Sequence, residues 1–96
     1  MIIKGITAQI TRTITEKDTA KKVRSGSLPV LATPVLSAAM EEAACKALAP
    51  HLTEGETTVG GSISLIHKAP TLPGHVITVT ATVTEVKGKK ISFHIT

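Results

Sequence analysis

No tryptophan and no tyrosine occur among the 96 residues, and Phe93 is the one phenylalanine. A single-stranded nucleic-acid binder needs aromatic faces on which bases stack, so this chain lacks the means for that function. The core must be assembled from Ile, Val, Leu and Ala. One cysteine, Cys45, excludes an internal disulfide, and its apolar neighbours suggest buried packing. No run of five or six like charges occurs. The net charge of +4 is spread over short groups such as Lys21–Lys22 and Lys87–Lys90, so no nucleic-acid partner is expected. A mildly basic rim suits a phosphorylated small molecule, or is plain solvated surface. The opening "MIIKGITAQI" has no apolar core and is not a signal peptide. The apolar run Leu28–Met40 is short for a bilayer and broken by prolines, so no membrane partner is expected and a cytoplasmic protein is the default. There is no His/Cys/Asp spacing for a metal, no phosphate loop and no dinucleotide fingerprint, and no cofactor is expected.

What remains is a pattern of elements for one domain over 1–96. In "GITAQITRTI", Ile6, Ala8, Ile10 and Ile14 share one face, as in a strand with one buried side. Thr15 with Asp18 resembles a capping box, which predicts a short helix. "RSGSLPV" reads as a loop. Thr33 as N-cap and Pro34 after it open a helix that Pro50 closes, about 16 residues and roughly 24 Å long. Alternation predicts a strand in "VGGSISLIHK", with Ile63, Leu65 and His67 on one face. "HVITVTATVTEV" predicts another, "KGKK" a tight hairpin turn, and "ISFHIT" a last strand with Ile91, Phe93 and Ile95 inward. The class is α+β with an antiparallel sheet. The Ala-rich helix needs cover on several sides; a sheet supplies one, and a second copy of the chain supplies the other.

Two adjacent carboxylates stand on that helix. Glu42 has Lys46 four residues on, the favoured order for a surface ion pair. Glu41 has Ser37 and Cys45 at that spacing and Ala38 and Ala44 at three, with no basic residue within a turn. Either it points to water at a helix edge, or it is shielded and poised as a general base. His67 ends an apolar stripe, as a hydrogen-bonded core histidine or a functional one. Thr33 either caps the helix or offers its hydroxyl at the positive helix end. Gly60 and Gly61 form a bulge or loop, or admit a ligand to backbone N–H groups.

The stretch "LATPVLSAAMEEAACKALAPHLTEGETTVGGSISLIHKAPTLPG" resembles the fluoroacetyl-CoA thioesterase-like branch of the hotdog-fold thioesterases, over roughly residues 28–86. Ala-Thr at a helix start, Met-Glu farther along it, "APHLTEGE", then "VG" and a later His before "PTLPG" carry the likeness. The resemblance implies a hotdog fold, a long helix wrapped by an antiparallel sheet, and one further C-terminal strand beyond this sequence. It implies hydrolysis of a small acyl-CoA thioester with Thr33, Glu41 and His67 as catalytic set, Gly60 against the acyl group with Gly61 beside it, and a homodimer or higher oligomer. That role requires Glu41 to be held from bulk water within reach of Thr33 and His67. Lys68, Lys87 and Lys89 are candidates for the coenzyme's phosphates. The segment "VRSGSLPVL" departs from the family: its fluoroacetyl-specific member carries phenylalanines there, so specificity for a fluorinated acyl group is not implied. A non-catalytic acyl-CoA-binding hotdog module is the alternative.

Overall fold

The computed structural model describes all residues, Met1–Thr96. Strand β1 spans Thr7–Thr13, followed by a 3-10 turn at Glu16–Asp18 and one helical turn, α1, at Ala20–Val23. Helix α2 runs Thr33–Leu48 and passes into a 3-10 turn at Ala49–His51. Strands β2, Val76–Lys87, and β3, Lys90–Ile95, complete an antiparallel sheet in the order β1-β2-β3. No helix is long and apolar enough to cross a membrane.

The alternation in the sequence sets the register. Ala8 pairs with Ala81 and Ile10 with Val79, which puts the apolar side chains of both strands on one face. Threonines fill the other face, where Thr7 and Thr82 bond to one another at 3.1 Å. Helix α2 lies across the apolar face. Ala39 and Ala43 bury against Val79 and Ala81, with Ile10, Ile77, Phe93 and Ile95 around them. Alanine has no side chain beyond Cβ, so the helix settles close to the sheet. A β-bulge after Val83 leaves Thr84 unpaired and sets Val86, rather than Glu85, opposite Ile91. The extra residue thus keeps a carboxylate off the apolar face. The hairpin between β2 and β3 turns through Gly88 at φ 58°, a left-handed conformation that glycine adopts without strain.

Three expectations are corrected. The segment "VGGSISLIHK" forms no strand and joins no sheet. Alternation reports which side chains of an extended chain share a face, not whether a partner strand is present. Glu42 makes no ion pair with Lys46; the ammonium donates instead to the carbonyl of Gln9 at 2.7 Å. Alternate carbonyls of β1 are left free because it is an edge strand, and a lysine is a common cover for such an edge. Cys45 is exposed rather than buried, because α2 buries the Ala39–Ala43–Ala47 stripe and leaves Cys45 off it.

The connection from β1 to α2 is tied by a charged knot. Arg12 lies on the inward face of β1 and donates to Asp18 at 2.7 Å. The same carboxylate accepts from the Thr15 backbone N–H at 2.9 Å and from its hydroxyl at 3.3 Å, the pairing expected of the capping motif. The Thr15 N–H and the Arg12 guanidinium together hold the Asp18 carboxyl below its ordinary 3.8, against the opposing effect of burial. An unfolded chain has the ordinary value. The ionised pair therefore contributes its full stability above pH 3.8 and loses it as the pH falls through the lower folded value. We expect Asp18→Asn to cost about 2 kcal/mol at neutral pH. Denaturant midpoints measured at about pH 6 and about pH 2 should fall less in Asp18→Asn than in the wild type; an equal fall would contradict the assignment.

Candidate active site

Helix α2 begins one residue earlier than its N-cap assignment in the sequence. Ala32 is the N-cap, with φ −74° and ψ 138°, and Thr33 is the first helical residue, ahead of Pro34. Alanine carries no capping oxygen, and a threonine inside the helix does not cap it. The Thr33 hydroxyl is therefore free, and it meets His67 Nδ1 at 2.8 Å. This bond joins the start of α2 to the segment that no sheet holds. His67 is half-buried and Thr33 exposed.

Glu41 lies two helical turns beyond Thr33 and contacts the same segment at Gly60. A Cβ built on Gly60 would stand 2.8 Å from Glu41 Oε2 and 3.4 Å from its Cδ. A side chain at position 60 would push the carboxylate away, so glycine is what lets the Glu41 carboxylate lie against the backbone here. Gly61 is not crowded in this way: a Cβ there meets nothing within 4 Å. The backbone N–H groups of Thr33, Gly60 and Gly61 make no main-chain hydrogen bond. They remain available as donors to an oxyanion.

The structure thus forms two pairs, Thr33 with His67 and Glu41 with Gly60. The imidazole bonds to Thr33 rather than to Glu41. Glu41 is exposed in the single chain, against the expectation that it is held from bulk water. The face of α2 that bears it, with Ala38, Glu42 and Cys45, is exposed, although Gly60 touches the Glu41 carboxylate.

Beside the Thr33–His67 bond is an open groove of about 420 Å³. Its walls are the loop Ser25–Leu31 on one side and His67–Pro70 on the other, with Thr33 and Pro34 at the base. Lys68 lines it. Lys87 is instead occupied by Glu85 at 3.2 Å, and Lys89 sits in the β2–β3 turn. The loop wall is aliphatic, with Leu28, Val30 and Leu31, and carries no aromatic ring. Composition marked this stretch as a loop but not as a groove wall. The one signal was its lack of charge between Ser25 and Ala32.

A family model described as fluoroacetyl-CoA-specific thioesterase matches residues 14–96. A fluoroacetyl-CoA thioesterase from Streptantibioticus cattleyicolor is 39% identical over 66 residues, which is 69% of this chain and 48% of that protein. The match therefore spans about half the length of that relative. Among solved structures, a variant of the fluoroacetyl-CoA-specific thioesterase in complex with fluoroacetate and CoA superposes with a TM-score of 0.91 at 28% identity, covering 98% of this chain and 80% of that one. A thioesterase superfamily member from Thermus thermophilus gives 0.90 at 29% identity, covering 99% and 70%. A hot-dog-like protein from Thermanaerovibrio acidaminovorans gives 0.86 at 26% identity, covering 96% and 68%. The fold is the hotdog.

Proposed function

Because the chain belongs to the family of fluoroacetyl-CoA-specific thioesterases, we propose that it hydrolyses a small acyl thioester of coenzyme A to the free acid and the thiol. The observation that carries the reading is the 2.8 Å bond between Thr33 and His67 Nδ1, formed on the segment whose Gly60 receives the Glu41 carboxylate. The hydroxyl–imidazole pair and the carboxylate each touch this one stretch of chain, at His67 and at Gly60.

In this reading the thioester carbonyl lies near Gly60 and the first turn of α2. Its oxygen gains charge as water adds, and the free N–H groups there stabilise it, each by about 3 kcal/mol in comparable sites. Glu41 takes the proton of the attacking water as general base. Thr33 positions that water or attacks directly. When the Thr33 hydroxyl donates to Nδ1, the neutral imidazole carries its proton on Nε2. That proton goes to the leaving sulfur as the C–S bond breaks, while Nδ1 takes the Thr33 hydroxyl proton and the proton that Glu41 drew from the water restores the hydroxyl, so that neither imidazolate nor alkoxide is left. Lys68 in the groove suits a coenzyme phosphate. The aliphatic loop wall gives no reason for a preference for fluorinated acyl groups. The setting proposed is the cytoplasm.

The active form in this reading is a homodimer. The chain exposes 6793 Å² for 10.0 kDa, whereas a folded monomer of that mass exposes about 5,200 Å². The difference is of the size that each partner gives up in an obligate dimer. Val59 and Ile66 are 90% and 80% exposed on the segment that carries Gly60 and His67. A second copy over this segment and the outer face of α2 would cover both, and would shield Glu41 from bulk water as a general base requires.

We expect Glu41→Gln and His67→Ala each to lower thiol release from a panel of short acyl-CoAs at least about tenfold without loss of folded structure. Gly60→Ala should do the same by displacing the carboxylate, while Glu42→Gln should leave the rate unchanged. Full activity in Glu41→Gln would contradict the role of the base, and binding of acyl-CoA without any thiol release would favour the non-catalytic module. Sedimentation should give about twice the chain mass, shifting toward the single chain in Ile66→Asp; a monomeric wild type would contradict the dimer.

A further inference from the structure

The Thr33–His67 bond has a support that lies outside the residues proposed for catalysis. Ala32, fully buried, precedes Thr33 directly. Its N–H donates to the Asp18 carbonyl at 2.9 Å. Its own carbonyl accepts from Val35 and Leu36 at 3.1 and 3.0 Å, the first bonds of α2. Ala32 is thus gripped from both sides, and one side is Asp18.

Asp18 is itself fixed by its side chain. It is 7% exposed, and its carboxylate accepts from Arg12 on β1 and from the N–H and hydroxyl of Thr15. A carboxylate held by three donors cannot rotate without breaking them, so the peptide carbonyl of the same residue is held in direction. Neighbouring bonds continue the clamp: Ala20 N–H to the Val30 carbonyl at 2.8 Å, and Leu31 N–H to the Thr71 carbonyl at 2.8 Å. The second of these reaches toward the chain that carries His67. The path from β1 to the hydroxyl is Arg12, Asp18, Ala32, Thr33, each joined to the next by one hydrogen bond or one peptide bond.

We propose that Asp18 is a positioning residue for the reaction, setting through Ala32 the place at which the Thr33 hydroxyl meets the His67 imidazole. It touches neither substrate nor reacting atoms. The proposal rests on the thioesterase reading for its effect on rate, but not for its effect on the imidazole. In Asp18→Asn the Arg12 charge loses its counter-charge and the amide presents only one acceptor oxygen, so Ala32 is held less firmly. Small misplacement of a reacting group is costly: shifts of about 1 Å lower rates by up to about a hundredfold.

The test combines nitrogen NMR of the imidazole with kinetics. In Asp18→Asn, the His67 Nδ1 signal should move toward its position in Thr33→Val, where the hydroxyl is missing. Turnover should fall about tenfold, with KM within about twofold. In a Thr33→Ala background the further substitution of Asp18 should change turnover by less than about twofold, because a residue acting through Thr33 has nothing left to position. Should Asp18→Asn fail to fold, Arg12→Lys, which keeps the charge but shortens the reach of the donor, gives the same readouts. An unmoved Nδ1 signal, in whichever of the two variants folds, overturns the proposal, as does a full additional loss in the Thr33→Ala background. A wild type that hydrolyses no thioester defeats the functional reading alone, and the Nδ1 signal still decides the role of Asp18.

Discussion

One hydrogen bond, between the Thr33 hydroxyl and His67 Nδ1, joins two parts of the chain that secondary structure leaves separate. Helix α2 is fixed by its alanine stripe on the sheet. The segment from residue 57 to 69 pairs with no strand, and its large side chains at Val59 and Ile66 stand in solvent. Without that bond, and without the seat that Gly60 offers to Glu41, little within one chain would set where the imidazole lies. The position of the site depends on tertiary contacts of a few polar groups, at about 1 kcal/mol each, rather than on the core.

This arrangement has a consequence for the assembly. A general base works best when it is removed from bulk water, and the single chain leaves Glu41 open. Val59, Ile63 and Ile66 stand exposed on the segment that Glu41 contacts at Gly60. Shielding of the carboxylate and burial of Val59 and Ile66 would both follow from one event, the approach of the second copy proposed above. The groove wall at Ser25–Leu31 is independent of that event: it is held by α1 and by the Leu31–Thr71 bond within the chain. In the proposed reading, an aliphatic wall of this kind would take an acyl group without selecting fluorine.

Much of this was legible in the sequence where a period or a spacing had a single structural meaning. The stripes Ile6–Ala8–Ile10 and Ile77–Val79–Ala81–Val83 gave two of the three strands and the face that α2 covers, and Thr15 with Asp18 gave the turn that follows β1. The last strand was found, but the bulge beside it was not, although the step from Val83 to Val86 breaks the period of two. "VGGSISLIHK" alternated as a strand does, yet pairing depends on a neighbour that no local pattern reports. Thr33 and His67 stood out for separate reasons, and only the fold brings them to 2.8 Å. The cap at Ala32 was missed because threonine is the better capping residue; what overrides that preference is the grip on Ala32 from Asp18. Arg12 went unread, although it is a charge at an inward position between Ile10 and Ile14.

The central claim is that an acyl thioester binds where Thr33, His67, Glu41 and Gly60 converge. Titrating the isotopically labelled chain with a non-hydrolysable thioether analogue of acetyl-CoA, and following backbone and imidazole signals by NMR, tests it most directly. The account predicts saturable shifts concentrated at Thr33, Glu41, Gly60, Gly61 and His67, with smaller ones along Ser25–Leu31. Saturable shifts confined to another surface, or none at concentrations that saturate the relatives, would contradict it.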